Sequence, residues 1–196
     1  FKVGETLAFP VSLIIIRTKR MGEARLKIEE KQIELIALLK EYAQATLKRE
    51  KVQSMRGYIQ HGDTTTLDHA IAVAYYSLML DQKWKLNCDQ SSLVRGALLH
   101  DYFLYDWHQP HKEYGLHGFT HPGTALRNAA QDFDLNLVER NIIARHMFPL
   151  VPIPPRYRES VVVCLADKFC SLNETFSRRR YLSLVKLLSA ALILHS

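Results

Sequence analysis

Six residues able to hold a cation, His69, His100, Asp101, His121, His146 and Asp167, recur at intervals of about one or two helix lengths, each in or beside a segment whose apolar residues repeat with helical period. Such spacing needs separate helices that can converge. No alternation of strands and helices marks a parallel sheet. The expected fold class is therefore all-α, a bundle of about six or seven helices.

Local signals place the six residues on those helices. Leu35, Leu38, Leu39 and Tyr42 mark an amphipathic helix from roughly Glu23 to Arg49. Thr65 is read as a helix cap with Asp68 returning a bond to the cap backbone, which sets His69 in the first turn. Ser91 or Ser92 is read as the cap of a helix bearing Leu93, Val94, Ala97 and Leu98, which runs into His100 and Asp101 near its C-terminus. Pro122 suits a first helical position, with His121 at the entrance. Asn136 and Glu139 form a capping box, Leu137, Val138, Ile142 and Ile143 supply an apolar face, and His146 follows on the inward side before Pro149 stops the helix. Val161 to Phe169 carry the last long pattern, opened by Pro154-Pro155, and Arg178 to Leu194 add a terminal helix.

The only boundary read from the sequence lies near Met21. Residues 1–20 are expected to form an N-terminal arm or short strand, because Leu7 to Ile16 hold β-branched residues and a proline, and residues 21–196 one helical domain. With 47% hydrophobic and 23% charged residues in a chain of 196, the composition is that of a soluble globular protein and not of a disordered one. Cys88, Cys164 and Cys170 form no CxxC pair and are odd in number, so neither a zinc ribbon nor a disulfide framework is suggested and a reducing cytoplasm is the simpler expectation. The apolar runs Val11 to Ile16 and Leu182 to Leu194 fall short of the ~20 residues a membrane-spanning helix needs. A net charge of +6 favours anionic partners, although much of it is local to Arg17–Arg20 and Arg178–Arg180. No basic stripe interleaved with aromatics is present, so nucleic acid is not expected.

A single histidine on an apolar face is most often a core residue bonded to a carbonyl. Asp167 is harder to dismiss, since it interrupts Val161-Val162-Val163-Cys164-Leu165-Ala166, and burying a carboxylate there is costly unless a cation or several donors compensate it. The ordinary alternative is a salt bridge to Arg95 or Arg145. Four imidazoles and two carboxylates form a borderline N/O donor set suited to one or two divalent transition ions, iron or manganese first, with cobalt, nickel and zinc also accommodated. Asp101 and Asp167 supply the anionic charge that such ions need.

The segments Ala97-Leu98-Leu99-His100-Asp101 and Leu165-Ala166-Asp167-Lys168, with histidines before, between and after the pair, resemble the HD superfamily from about Thr65 to Phe176. The resemblance is to its six-ligand, two-metal members and is similar to the HD-type diadenosine tetraphosphate hydrolases. It implies a metal-dependent phosphohydrolase with His69, His100, Asp101 and Asp167 on one ion and with His121 and His146 joining the bridging Asp101 on a second. It also implies His100 and Asp101 as catalytic residues acting through a metal-activated water. Many relatives carry a lysine three residues after the His-Asp pair, where this chain has Leu104. Lys168, Arg145, Lys112 and His117 are the expected substrate contacts in its stead; His117 also competes with His121 as third histidine, and His108 and His111 lie in the same loop. A small phosphorylated, nucleotide-like molecule is the expected partner, and a homodimer is admitted. Two other readings use the same ligands: a di-iron oxygenase, as in a minority of the superfamily, and a regulatory binding module stapled by its metal.

Overall fold

A helix satisfies its own backbone donors and acceptors, and that economy organises this chain. The computed structural model describes residues 11–108, 117–176 and 179–193. Among them the elements are α1 (Val11–Leu47), α2 (Glu50–Gln53), a 3₁₀ turn (Ser54–Gly57), β1 (Ile59–His61), β2 (Thr64–Thr65), α3 (Thr66–Trp84), α4 (Gln90–Leu99), α5 (His117–Asp132), α6 (Leu137–Arg145), α7 (Arg158–Thr175) and α8 (Arg179–Ile193). The fold is all-α, with seven of these helices spanning nine residues or more.

The strand or extended arm expected over Leu7 to Ile16 is helix from Val11 onward, and residues 7–10 lie outside the described residues. A strand without a partner would leave its N–H and C=O groups unpaired, whereas the β-branched residues cost a helix at most ~0.7 kcal/mol each. The chain divides into two units, Phe1–Leu35 and Ile36–Ser196, and the division falls within α1.

In the second unit α3 is buried on nearly all sides, through Leu67, Ile71, Val73, Ala74 and Leu78, and it packs against α4, α7 and α8. Thr65 caps it by accepting from the Asp68 N–H at 3.2 Å. The Asp68 carboxylate answers the Thr65 hydroxyl at 2.9 Å and not the cap backbone. The cap of α4 is Asp89, which accepts from the Ser92 N–H at 2.9 Å, in place of Ser91 or Ser92. The polar first turn Gln90-Ser91-Ser92 had hidden the true start, and aspartate caps as well as serine does. The capping box of Asn136 and Glu139 forms as read, with both bonds at 2.9 Å.

Helices α4 and α6 meet at Gly96, where an added Cβ would lie 3.1 Å from Ile142 Cβ and Cγ2. Gly96→Ala is therefore expected to destabilise the fold by about 1–3 kcal/mol through overpacking, outweighing the alanine's better helix propensity. Chemical denaturation checks this; an unchanged or raised midpoint would show that Ile142 yields freely.

Candidate metal centre

Three helix ends, the second turn of a fourth helix and the centre of a fifth bring the six residues together. His69 stands in the first turn of α3, His100 caps the C-terminus of α4 with Asp101 next to it, His146 caps the C-terminus of α6, and Asp167 lies midway along α7. His121 comes from α5, which begins at His117, so Pro122 falls inside the helix and His121 in its second turn instead of at the entrance. Pro122 lacks the N–H that would pair with the Gly118 carbonyl, so the turn ahead of it forms with one bond missing. All six side chains are buried.

Asp101 sits between two groups of nitrogen ligands. Its Oδ2 lies 3.3 Å from His100 Nε2 and 3.9 Å from His69 Nε2, and Oδ1 lies 3.2 Å from His121 Nε2 and 3.4 Å from His146 Nε2. Asp167 Oδ1 completes the first group, 3.2 Å from His69 Nε2 and 3.8 Å from His100 Nε2. In the second, His121 Nε2 and His146 Nε2 approach to 2.8 Å.

The far side of three of the four rings fixes the tautomer. His100 Nδ1–H donates to the Ala97 carbonyl at 2.6 Å, His146 Nδ1–H to the Ile143 carbonyl at 2.9 Å, and His69 Nδ1–H to Glu174 Oε2 at 2.9 Å. Each Nε2 lone pair then faces the shared space, the arrangement that metal-binding histidines use. His100 Nε2 and Asp101 Oδ1 are buried with no hydrogen bond of acceptable geometry among the described residues. Orphaned polar atoms at that depth are costly unless something else engages them. His69, His100 and Asp167, and likewise His100, Asp101 and His146, each bring ligand atoms within 4.8 Å of one another. This donor set fits a divalent transition ion.

Electrostatics favour cation-binding protonation states at Asp101, Asp167 and His146, whereas without a bound cation they favour the protonated ring at His69 and His100. Burial alone would raise the Asp101 carboxyl, but His100, His121 and His146 hold it well below the usual carboxylate range. Asp167, also opposed by burial, is held down to about 2, chiefly by His69 beside it. Burial keeps His146 below the ordinary imidazole value and hence neutral. His69 lies well above it, because Glu174 and Asp167 outweigh burial, and Asp101 raises His100 against burial in the same way. Two ionised carboxylates and a neutral imidazole are cation-binding forms.

Of the expected substrate contacts, Lys168 lines the adjoining cavity, but its Nζ donates to the His146 carbonyl at 2.9 Å and the Cys164 carbonyl at 3.3 Å. Arg145, half-buried in the last turn of α6, is not among the lining residues. Lys112, His111 and the side chain of His117 lie outside the described residues. His108 is exposed, bonded to Asp106 at 3.2 Å and stacked on Trp107. The alternative salt bridge to Asp167 is not made by Arg95, which grips Glu139 with two bonds of 2.6 Å.

Two residues that hold the site escaped the sequence reading. Glu174 is buried on α7, binding His69 with one oxygen and the Tyr181 hydroxyl with the other at 2.6 Å. It follows Asp167 by two helical turns on the same face, a signal the spacing carried. Gln60, on β1, donates from Nε2 to Asp101 Oδ2 at 2.7 Å. No periodicity in a three-residue strand points to it; only the hairpin of β1 and β2, with Ile59 opposite Thr65, brings it there.

The cavity beside the centre has a volume of about 880 Å³. The HD domain family model matches residues 66–172, more than half of the chain, and the chain belongs to that family. HD domains are mostly metal-dependent phosphohydrolases, and a metal-dependent, hydrolase-like function is the class that the match and the clustered ligands indicate. No curated protein and no solved structure matches the chain. Among the described residues no helix is long and apolar enough to cross a membrane.

Proposed function

We propose that this chain is a metal-dependent phosphohydrolase that cleaves a phosphate ester or anhydride of a small, nucleotide-sized molecule. The observation that carries the reading is the position of Asp101, whose two oxygens face separate histidine groups. His69, His100, Asp101 and Asp167 would hold one ion, and Asp101, His121 and His146 a second, with iron or manganese the expected metals. When bound, such ions supply a water whose pKa is lowered towards ~7 and take up negative charge developing on the phosphoryl oxygens.

The chain's own residues do the positioning. Gln60 fixes Asp101 through Oδ2, and the carbonyls of Ala97 and Ile143 hold the rings of His100 and His146. Asp101, kept ionised and adjacent to both groups, is the acceptor able to orient a water proton. The balance of the reaction is simple: the water oxygen bonds to phosphorus, the bond to the leaving oxygen breaks, and that oxygen takes the proton which the water loses.

The test is metal analysis of the full chain purified without chelator, followed by phosphate release from a nucleotide and phosphoester panel. One or two transition ions per chain are expected, with release that EDTA abolishes and manganese or ferrous iron restores. Undiminished release after complete removal of metal would overturn the reading.

A further inference from the structure

The cavity beside the centre is lined by residues of two kinds. Asp101, Asp167, His121 and His146 reach it from the metal centre, and Trp107, Met147, Pro149, Leu150 and Leu172 also line it. Apart from the Trp107 indole, the other polar side chains that reach the wall are engaged within the protein. Gln60 binds Asp101, Ser171 Oγ donates to Asp167 Oδ1 at 3.3 Å, Thr175 Oγ1 donates to the Ser171 carbonyl at 2.8 Å, and Lys168 is tied to the His146 carbonyl. Groups committed in this way offer little to a hydroxylated or amide-bearing ligand, whose own polar atoms would lose water there without compensation.

Charge points the same way. Among the described lining residues Lys168 is the one cation. Polyphosphates are ordinarily gripped by several Lys or Arg side chains or by a run of backbone N–H groups, and one tethered lysine does not match that demand. A single phosphate asks for no more than the metal centre supplies. Leu150 and Leu172, respectively 46% and 59% exposed, leave apolar surface open for the rest of the molecule. The volume lies within the ~300–1,000 Å³ usual for small-molecule sites.

We propose that the substrate is a phosphate monoester with an apolar body, and neither a polyphosphate nor a sugar phosphate. The inference rests on the phosphohydrolase reading and narrows it. Water attacks phosphorus, the ester P–O bond breaks with its electron pair going to the alcohol oxygen, and that oxygen takes the proton lost by the water. The products are inorganic phosphate and an apolar alcohol.

Two measurements on the manganese-loaded full chain test the proposal. Calorimetric titration with 1-naphthylmethylphosphonate, which hydrolysis cannot consume, should show binding about thirtyfold tighter than methylphosphonate, the gain expected from burying one aromatic group. In hydrolysis, kcat/KM for 1-naphthyl phosphate should exceed that for ribose 5-phosphate, adenosine monophosphate and adenosine triphosphate by a similar factor. Leu172→Asp should abolish most of the naphthyl preference in binding, with its fold checked by circular dichroism. Equal binding of the two phosphonates, or cleavage of any of the three polar substrates as efficient as that of the naphthyl ester, would overturn the substrate assignment alone. No phosphate release from any ester or anhydride with any metal would sink the phosphohydrolase reading and this inference with it.

Discussion

Asp101→Asn is expected to lose bound metal and to slow phosphate release by at least about 10³-fold, while remaining folded. The substitution keeps the shape of the side chain and removes its charge. Asparagine offers one oxygen where aspartate offers two, and its NH₂ group would be turned towards imidazole lone pairs on whichever side the oxygen does not serve. Gln60 donates to Oδ2, so the remaining oxygen would be drawn to Gln60 and the amide nitrogen aimed at His121 and His146. One group of ligands would then lose its shared anion. The metal-free variant should meanwhile unfold somewhat earlier than the metal-free parent, because the histidines that, against burial, hold the Asp101 carboxyl well below its usual range show that its charge stabilises the fold. Metal content, phosphate release and thermal unfolding, measured on the same preparation, separate loss of the site from loss of the fold. Retained metal together with retained activity would remove Asp101 from the centre of the mechanism.

Much of this arrangement is legible in the chain because its signals are local. The capping box of Asn136 and Glu139 sets the register of α6, and that register carries His146 to the helix end, where its ring turns back onto the Ile143 carbonyl. Thr65 does the same for His69, and the apolar run Leu93 to Leu99 delivers His100 and Asp101 to the end of α4. Asp167 is conspicuous because an ionised group in an apolar helix requires an explanation. What could not be read depends on tertiary proximity. Arg145 precedes His146 in sequence but is turned by about 100° around the helix, so nearness along the chain did not become nearness in the site. Gln60 reaches Asp101 through a hairpin whose only local mark is Gly62, with φ of 57° at the turn. The helix from Val11 went unread because β-branched residues argue for a strand only where another strand is available to pair with it.

The second large effect concerns Glu174, which touches no substrate and acts through His69. Glu174→Ala would strand two buried donors at once, the Nδ1–H of His69 and the hydroxyl of Tyr181, in a region where His69 is fully enclosed. Breaking a buried charged network of this kind costs about 3–5 kcal/mol, so a fall in Tm on the order of 10 °C is expected for a chain of this length. The His69 ring would also lose the bond that fixes its tautomer and points Nε2 at Asp101 and Asp167, lowering metal affinity by about 10–100-fold. Glu174→Gln separates the two consequences. Its amide oxygen can still accept from His69, so stability should largely return, while the neutral group no longer makes the imidazole more basic and affinity stays reduced. Tyr181→Phe removes only one donor and leaves the bond to His69 intact, so it should cost roughly 1 kcal/mol with little change in metal binding. If Glu174→Ala binds metal as tightly as the parent and loses only stability, then the ring of His69 is held by packing alone and the carboxylate behind it serves the fold rather than the site.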